Sequence, residues 1–164
     1  MKILCPYVEL EWPVEFMLRA EHPNDVEWKY TGDREDGYFE SVRQMWNQGE
    51  TFVIVEQDIV PWPGAVKEIY DCPHRFCINW TPHWQAINGD GPWTYAHGLV
   101  KYGDELMSQF PSYFNDYSES HHWSQFDWGL VKRFSSEIHY HWPPVIHLSP
   151  IRFDSVKLSI SRRD

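Results

Sequence analysis

Apolar residues in the first half of the chain follow two different spacings. Continuous runs of β-branched and aromatic residues predict strands at residues 2–8, Val26–Tyr30 and Phe52–Val55. Between these runs, residues 13–20 and the segment that ends at Gly49 carry apolar residues at the spacing that forms one face of a helix. The order strand, helix, strand, helix, strand is typical of a parallel sheet covered by helices.

The second half of the chain repeats this pattern less regularly. Apolar runs predict strands at residues 76–80 and 95–101. Helical spacing predicts one helix that starts at Gly103 or Asp104, and another over residues 123–134. Residues 139–148 are extended, aromatic and rich in histidine, and their prolines favour an edge strand or a loop.

Two carboxylates follow the most apolar of the predicted strands. Glu56 and Asp58 come directly after Phe52–Val55, and side chains two residues apart on a strand point to the same side. Paired carboxylates at the carboxyl end of a strand suit a hard divalent cation, which prefers oxygen ligands. Acidic pairs also occur in turns and at helix N-caps, so the spacing alone leaves both interpretations open.

Length and charge limit the protein class. The chain has 164 residues, and we expect one α/β domain over residues 1–150 followed by a tail over residues 151–164. Its mixed, mostly parallel sheet would be Rossmann-like and flanked by helices. The formal net charge of −10 disfavours non-specific binding to nucleic acid or to an anionic membrane, because both require a basic surface.

Cysteine usage and the lack of a long apolar run bear on localisation. Cys5, Cys72 and Cys77 match no zinc-binding spacing, so they are interpreted as reduced thiols in a cytoplasmic protein. No run of apolar residues is long enough to cross a bilayer. Ten tryptophans are more than a core of this size needs, and some could stack on a sugar or a base.

Three blocks of sequence resemble the GT-A class of nucleotide-sugar glycosyltransferases. The first, FVIVEQDIVPWPGAVKEIYDCP, is similar to the class's apolar strand with an acidic DxD or ExD motif and a proline-marked helix. The second, AHGLVKYGDELMSQFP, is similar to a strand and helix that shape the acceptor side. The third, WSQFDWGLVKRF, is similar to a later helix that carries a carboxylate in its first turn. The chain resembles a small, abbreviated member, such as a virus or a bacterium could encode.

The resemblance implies a metal-dependent transferase with a GT-A-like fold. Asp58 would bind Mn²⁺ or Mg²⁺ at the diphosphate of the donor, and Glu56 would touch the metal, a bound water or the ribose. His147, or else His141, would complete the metal site. Asp127 would be the general base that takes a proton from the acceptor hydroxyl, a role that favours inversion at the sugar carbon.

The same resemblance implies the ligands of this site. By this resemblance, the residues that bind the nucleotide sugar would be Pro6, Tyr7, Asp33, Gln57 and Gly98, and a UDP-sugar is the first candidate donor. The acceptor would be a hydroxyl group of a polysaccharide, a protein or a modified nucleic acid. No membrane partner is expected.

Two other functions are compatible with these residues. A zinc-dependent hydrolase could use His139, His141, His147 and Asp58 as its metal site. A non-catalytic module could bind a carbohydrate or a nucleotide through its tryptophans, with the carboxylates only capping loops. The hydrolase requires zinc without any nucleotide, and the module requires no metal.

Overall fold

In the described part of the chain, eight strands form two sheets, and five α-helices cover the larger sheet. The computed structural model describes residues 1–32, 34, 36–79, 98–118, 121–142 and 144–148, and for residues 123–125, 127 and 128 it describes the backbone alone. The strands are β1 (Ile3–Tyr7), β2 (Val26–Tyr30), β3 (Phe52–Val55), β4 (Ile59–Pro61), β5 (Phe76–Asn79), β6 (Leu99–Tyr102), β7 (Ile138–His141) and β8 (Val145–His147). The helices are α1 (Trp12–Glu21), α2 (Gly37–Gln48), α3 (Ala65–Asp71), α4 (Asp104–Gln109) and α5 (Trp123–Arg133), with a 3₁₀ turn over Ser135–Glu137.

The larger sheet has the strand order β2-β1-β3-β6-β5-β7. Strand β1 pairs in parallel with β2 and β3, and β5 pairs in parallel with β7. Strand β6 is antiparallel to both of its neighbours, β3 and β5. The mixed, mostly parallel α/β sheet flanked by helices is therefore confirmed.

Alternate residues of the central strands pack into two separate cores. Leu4 and Ile54 belong to the core that contains buried residues of α2, α4 and α5. Ile3 and Val53 belong to the other core, which contains buried residues of α1 and α3. A strand with apolar residues on both faces suits a sheet covered on both sides, and this explains the continuous apolar runs of the sequence.

A second, two-stranded sheet lies beyond the end of β3. Strand β4 pairs antiparallel with β8, with Ile59 opposite His147 and Pro61 opposite Val145. Strand β4 was not predicted, because three residues that contain a proline carry little strand signal. The pairing joins the segment after β3 to the end of the described chain.

Most predicted elements are present with small shifts at their ends. Strand β2 has the predicted bounds, and α2 ends before Gly49, whose φ of 71° is the left-handed conformation that glycine adopts easily. The predicted edge segment 139–148 contributes β7, the last strand of the large sheet, and β8. The predicted tail 151–164 lies outside the described residues. Within the described ranges, no helix is both long and apolar enough to span a bilayer.

Candidate functional site

The acidic pair lies in a turn that joins β3 to β4. Strand β3 ends one residue before Glu56, and the amide of Ile59 donates to the Glu56 carbonyl oxygen at 3.1 Å. The amide of Glu56 donates to the carbonyl oxygen of Gly98 at 3.0 Å, which ties the turn to the start of β6. The expectation that strand alternation aligns Glu56 and Asp58 is wrong, because the strand has already ended. A closed turn positions both carboxylates instead.

Asp58 contacts a histidine from the far end of the described chain. The Oδ2 atom of Asp58 lies 2.9 Å from Nε2 of His147, although the two residues are 89 positions apart. The β4–β8 pairing explains the contact, because it sets Ile59 opposite His147. In addition, the amide of Leu148 donates to the Asp58 carbonyl oxygen at 2.6 Å. The Asp58 and His147 side chains are 22% and 31% exposed, so solvent and ligands can reach the pair.

The geometry of this pair fits two neighbouring ligands of one octahedral ion. Ligands at right angles around Mg²⁺, each about 2.1 Å from the ion, lie about 3.0 Å apart. The observed separation of Asp58 Oδ2 and His147 Nε2 is 2.9 Å. The carboxylate oxygen of Asp58 matches the donor preference of Mg²⁺ and Mn²⁺, whereas an imidazole nitrogen such as that of His147 is a more usual ligand of later first-row metals. Asp58 and His147 could therefore hold a divalent cation together, and a hydrogen bond between them would have the same length.

Gln57, between the two acids, fastens the turn to the end of β1. Its Oε1 atom accepts hydrogen bonds from the amides of Val8 at 2.6 Å and of Glu9 at 3.2 Å. These bonds satisfy backbone groups that have left the sheet. The observed contacts of Gln57 thus position the turn, whereas its predicted contact with a nucleotide sugar stays a prediction.

Pro6 and Tyr7 lie at the carboxyl end of β1, as the sequence predicted. Pro6 is buried and pairs with Lys29 of β2. Tyr7 is half-buried, and its ring centroid lies 5.7 Å from that of Tyr30. The Tyr7 carbonyl oxygen accepts hydrogen bonds from the Thr31 amide at 2.8 Å and hydroxyl at 3.1 Å. Of the two residues, only Tyr7 retains an exposed surface for a ligand, and its predicted role stays untested.

Gly98 has a packing reason to be glycine. A Cβ atom at this position would lie 2.6 Å from both Cγ1 and Cδ1 of Ile59, whose side chain is only 1% exposed. The same Cβ atom would lie 3.9 Å from Oε2 of Glu56. Gly98 therefore leaves room for the residue that follows Asp58. This contact explains the glycine without a nucleotide sugar.

Glu56 also lies close to the end of β1. The pKa of the Cys5 thiol is raised to about 12, mainly by burial and to a lesser extent by the nearby carboxylates of Glu56 and Glu15. Cys5 is fully buried in the core under α1 and α3. The Glu56 carboxylate thus acts electrostatically on Cys5, the residue of β1 that precedes Pro6 and Tyr7.

The structure separates His141, the second candidate metal ligand, from this pair. Its Nε2 atom lies 3.1 Å from Nδ1 of His139, and its own Nδ1 atom lies 3.7 Å from a Glu68 carboxylate oxygen. His139 and His141 share a cluster with Cys72 and Cys77. Sequence reasoning missed this cluster, because the ligand spacing of known zinc motifs is local and these residues come from separate elements.

Burial controls the protonation of this second cluster. The pKa of Cys77 is raised to about 12, mainly by burial and to a lesser extent by a hydrogen bond with Cys72. Burial also lowers the pKa of His139 and of His141. In the absence of a metal, the Cys77 thiol and both imidazoles are therefore neutral near pH 7.

Two predicted site residues cannot be compared with this geometry. Asp33 lies outside the described residues. The backbone of Asp127 lies in α5, the predicted helix, but its side chain is not described. The predicted roles of both residues stay predictions.

An open cleft of about 420 Å³ lies at the carboxyl end of β2, near the predicted nucleotide side. Three basic residues line it, namely Lys29, Arg34 and Arg43. Each has an acidic partner within 3.3 Å, so the cleft is not an unpaired basic patch. Two half-exposed tryptophans, Trp62 and Trp142, follow β4 and β7.

Comparisons with known proteins report on the fold. Neither a protein-family model nor a curated protein matches the sequence. Among solved structures, the chain is similar to A197 from STIV, with a TM-score of 0.55, 12% identity, and coverage of 93% of this chain and 88% of that chain.

Two glycosyltransferase structures are also similar. One is a glycosyltransferase involved in the glycosylation of the major capsid of PBCV-1, with a TM-score of 0.49, 12% identity, and coverage of 87% of this chain and 81% of that chain. The other is the galactosyltransferase LgtC in complex with donor and acceptor sugar analogs, with a TM-score of 0.47, 9% identity, and coverage of 85% and 73%. At these identities, the likeness to A197 shows the α/β fold alone.

Proposed function

We propose that the protein is a metal-dependent glycosyltransferase that moves a sugar from a nucleotide-sugar donor to an acceptor hydroxyl. The observation that carries the proposal is the contact between Asp58 and His147, at 2.9 Å. The resemblance of the sequence implied these two residues as partners in one metal site. Their geometry supports that implication, because an octahedral cation requires two neighbouring ligands at this separation.

Asp58 and His147 would hold Mn²⁺ or Mg²⁺, and the bound ion would neutralise the charge that grows on the diphosphate leaving group. Glu56 would orient the donor at the end of β1, through the ion, a water or the ribose. Gln57 would keep the turn against the β1 end through its bonds to Val8 and Glu9.

The other predicted residues would bind the nucleotide and activate the acceptor for displacement at the sugar carbon. Pro6, Tyr7 and Asp33 would line the nucleotide site, and a UDP-sugar is the first donor to test. Asp127 would accept the proton from the acceptor hydroxyl as that oxygen attacks, which favours inversion. The acceptor would be a hydroxyl of a polysaccharide, a protein or a modified nucleic acid.

The hydrolase alternative requires one zinc site made of His139, His141, His147 and Asp58. Among the described residues, these four do not form a group of ligand atoms within 4.8 Å, since His139 and His141 cluster with Cys72 and Cys77. His147 contacts Asp58 instead. This division of the four residues disfavours the hydrolase.

A thermal-shift screen tests the proposal. The protein is heated with the diphosphates of uridine, guanosine, adenosine and cytidine, each with and without Mn²⁺. A ligand that binds only the native state at about 100 times its Kd stabilises it by about 2.7 kcal/mol, so one nucleotide should raise the Tm when Mn²⁺ is present. Asp58→Asn should lose this shift.

The matched control is Asp116→Asn. Asp116 is an exposed aspartate that accepts a hydrogen bond from Ser112 at 2.6 Å, and it lies outside the acid turn. This variant should keep the nucleotide shift. A shift that survives in Asp58→Asn, or one that needs no metal, would favour the binding module over the transferase.

A further inference from the structure

Four metal-binding side chains converge where the end of α3 meets strands β5 and β7. One ligand atom from each of Cys72, Cys77, His139 and His141 lies within 4.8 Å of the other three. The Cys72 Sγ atom lies 3.4 Å from His139 Nδ1, which lies 3.1 Å from His141 Nε2. In a tetrahedral zinc site, bonds of about 2.3 Å to sulfur and about 2.05 Å to nitrogen set neighbouring ligand atoms about 3.3–3.8 Å apart. The separations of 3.4 Å and 3.1 Å are thus close to those of neighbouring zinc ligands, and all four atoms lie within 4.8 Å of one another.

We infer that Cys72, Cys77, His139 and His141 form a Cys₂His₂ site for Zn²⁺. The donor set is the one that zinc prefers, with two soft thiolates and two imidazoles. A hard cation such as Mg²⁺ would avoid it. The site shares no residue with the Asp58 and His147 pair, so the inference does not depend on the proposed transferase function.

The sheet register explains how distant residues meet. Cys77 of β5 pairs with His139 of β7 in parallel, and Asn79 pairs with His141 two positions further on. Because alternate residues of a strand share a face, His139 and His141 point to the same side of the sheet as Cys77. That side faces α3, as Cys77 and buried residues of α3 belong to one core. Cys72 then enters from the C-cap of α3.

Further contacts position two of the four ligands, Cys72 and His141. The amide of Cys72 donates to the carbonyl oxygen of Ile69 at 3.3 Å, and the buried Lys101 ammonium donates to the Cys72 carbonyl oxygen. On the other side, a Glu68 carboxylate oxygen lies 3.7 Å from His141 Nδ1, while His141 Nε2 faces the cluster. A carboxylate beside the non-ligating nitrogen of a histidine is the usual support of a zinc ligand, and the separation of 3.7 Å here is that of an ion pair rather than of a hydrogen bond.

The arrangement indicates a structural rather than a catalytic site. Four protein ligands fill the tetrahedral coordination of zinc and leave no position for water or substrate. Cys77 is fully buried and Cys72 is only 8% exposed. The ion would tie β7, the terminal strand of the large sheet, to β5 and to the end of α3. Removing the metal should therefore loosen this edge of the sheet.

Metal analysis of the full chain tests the inference. The protein is purified under reducing conditions, incubated with one equivalent of Zn²⁺, desalted and analysed for zinc and protein. We expect about one zinc per chain, as in other closed four-ligand sites. Cys77→Ser should lose the zinc. Cys5→Ser is the matched control and should keep it, because Cys5 is an equally buried thiol outside the cluster.

Further measurements keep the test decisive if Cys77→Ser does not fold. The wild-type chain loaded with Co²⁺ should show the intense visible bands of tetrahedral cobalt and the near-ultraviolet band of thiolate-to-cobalt charge transfer. Glu68→Gln leaves all four ligands in place and should weaken zinc about tenfold or more, because a supporting carboxylate is lost. Asp58→Asn should keep the zinc.

Specific results would overturn the inference. These are a wild-type chain without zinc after loading, a weak octahedral cobalt spectrum without a thiolate band, or a Cys5→Ser chain that loses zinc as fully as Cys77→Ser. Loss of zinc from Asp58→Asn but not from Cys77→Ser would place the metal at the acid turn instead. A disulfide between Cys72 and Cys77 in the reduced preparation would also contradict a thiolate site.

Discussion

Replacing Gly98 with alanine should strain the packing beside the acid turn. The new Cβ atom would lie 2.6 Å from Cγ1 and Cδ1 of Ile59, whereas carbon atoms in contact lie about 3.5–4.0 Å apart. The overlap is thus about 1 Å at two atoms. Ile59 is buried and cannot swing into solvent, so Gly98→Ala should cost about 1–3 kcal/mol, the usual cost of overpacking. Urea unfolding of both proteins measures this loss.

A second substitution identifies the cause of the loss. Ile59→Val removes Cδ1, one of the two atoms in the overlap, and alone should cost about 0.5–1.5 kcal/mol. The double variant should be more stable than the sum of the single losses by about 1 kcal/mol, because the two residues share one contact. Gly103→Ala is the control, since its Cβ atom would meet the Arg75 backbone 3.0 Å away and Ile59→Val cannot relieve it.

The same variants separate packing from donor binding. If Gly98 only makes room for Ile59, the double variant should regain part of both the stability and the Mn²⁺-dependent nucleotide shift. If Gly98 contacts the nucleotide sugar in addition to making room for Ile59, stability should recover in part while the nucleotide shift stays lost. Additive losses in the Gly98 and Ile59 pair would refute the packing explanation.

Two further predictions concern contacts around the site and the pH dependence of stability. Gln57→Ala should lower the free energy of unfolding in urea by about 1 kcal/mol, because the amides of Val8 and Glu9 lose their acceptor. The control Gln44→Ala changes an exposed glutamine and should alter the free energy of unfolding by less than about 0.5 kcal/mol. Equal losses in the two variants would refute a role of Gln57 in fastening the turn. Burial lowers the pKa of His22, so the native state holds fewer protons than the unfolded state, and stability falls as the pH drops below the ordinary value of 6.5. His22→Gln should make this fall between about pH 7.5 and 5.5 shallower in chemical denaturation, and an unchanged slope would contradict the assignment.

The large sheet could be predicted from local sequence because its strands carry a local signal. Phe52–Val55 is apolar on both faces, and such a run forms a central strand almost wherever helices cover both sides. The helix that ends before Gly49 has its apolar stripe and its glycine stop in adjacent positions. Each of these elements is specified by a few neighbouring residues.

The site depends on contacts that no local pattern encodes. Asp58 and His147 are 89 positions apart, and they meet only because two three-residue strands pair. The resemblance to glycosyltransferases pointed to both residues. The apolar pattern, however, predicted that the strand continues through Asp58, whereas β3 ends at Val55. Cys72 and His139 are 67 positions apart, and their approach depends on the register between β5 and β7. Apolar patterns identify strands, but they do not fix which strands become neighbours.

The location of Mn²⁺ in crystals grown with the metal and uridine diphosphate tests the central claim most directly. Anomalous scattering at the manganese edge should give a peak about 2.2 Å from both Asp58 Oδ2 and His147 Nε2, with the diphosphate on the open side of the ion. A manganese peak elsewhere, with nucleotide bound and the direct hydrogen bond between Asp58 and His147 intact, would contradict the account.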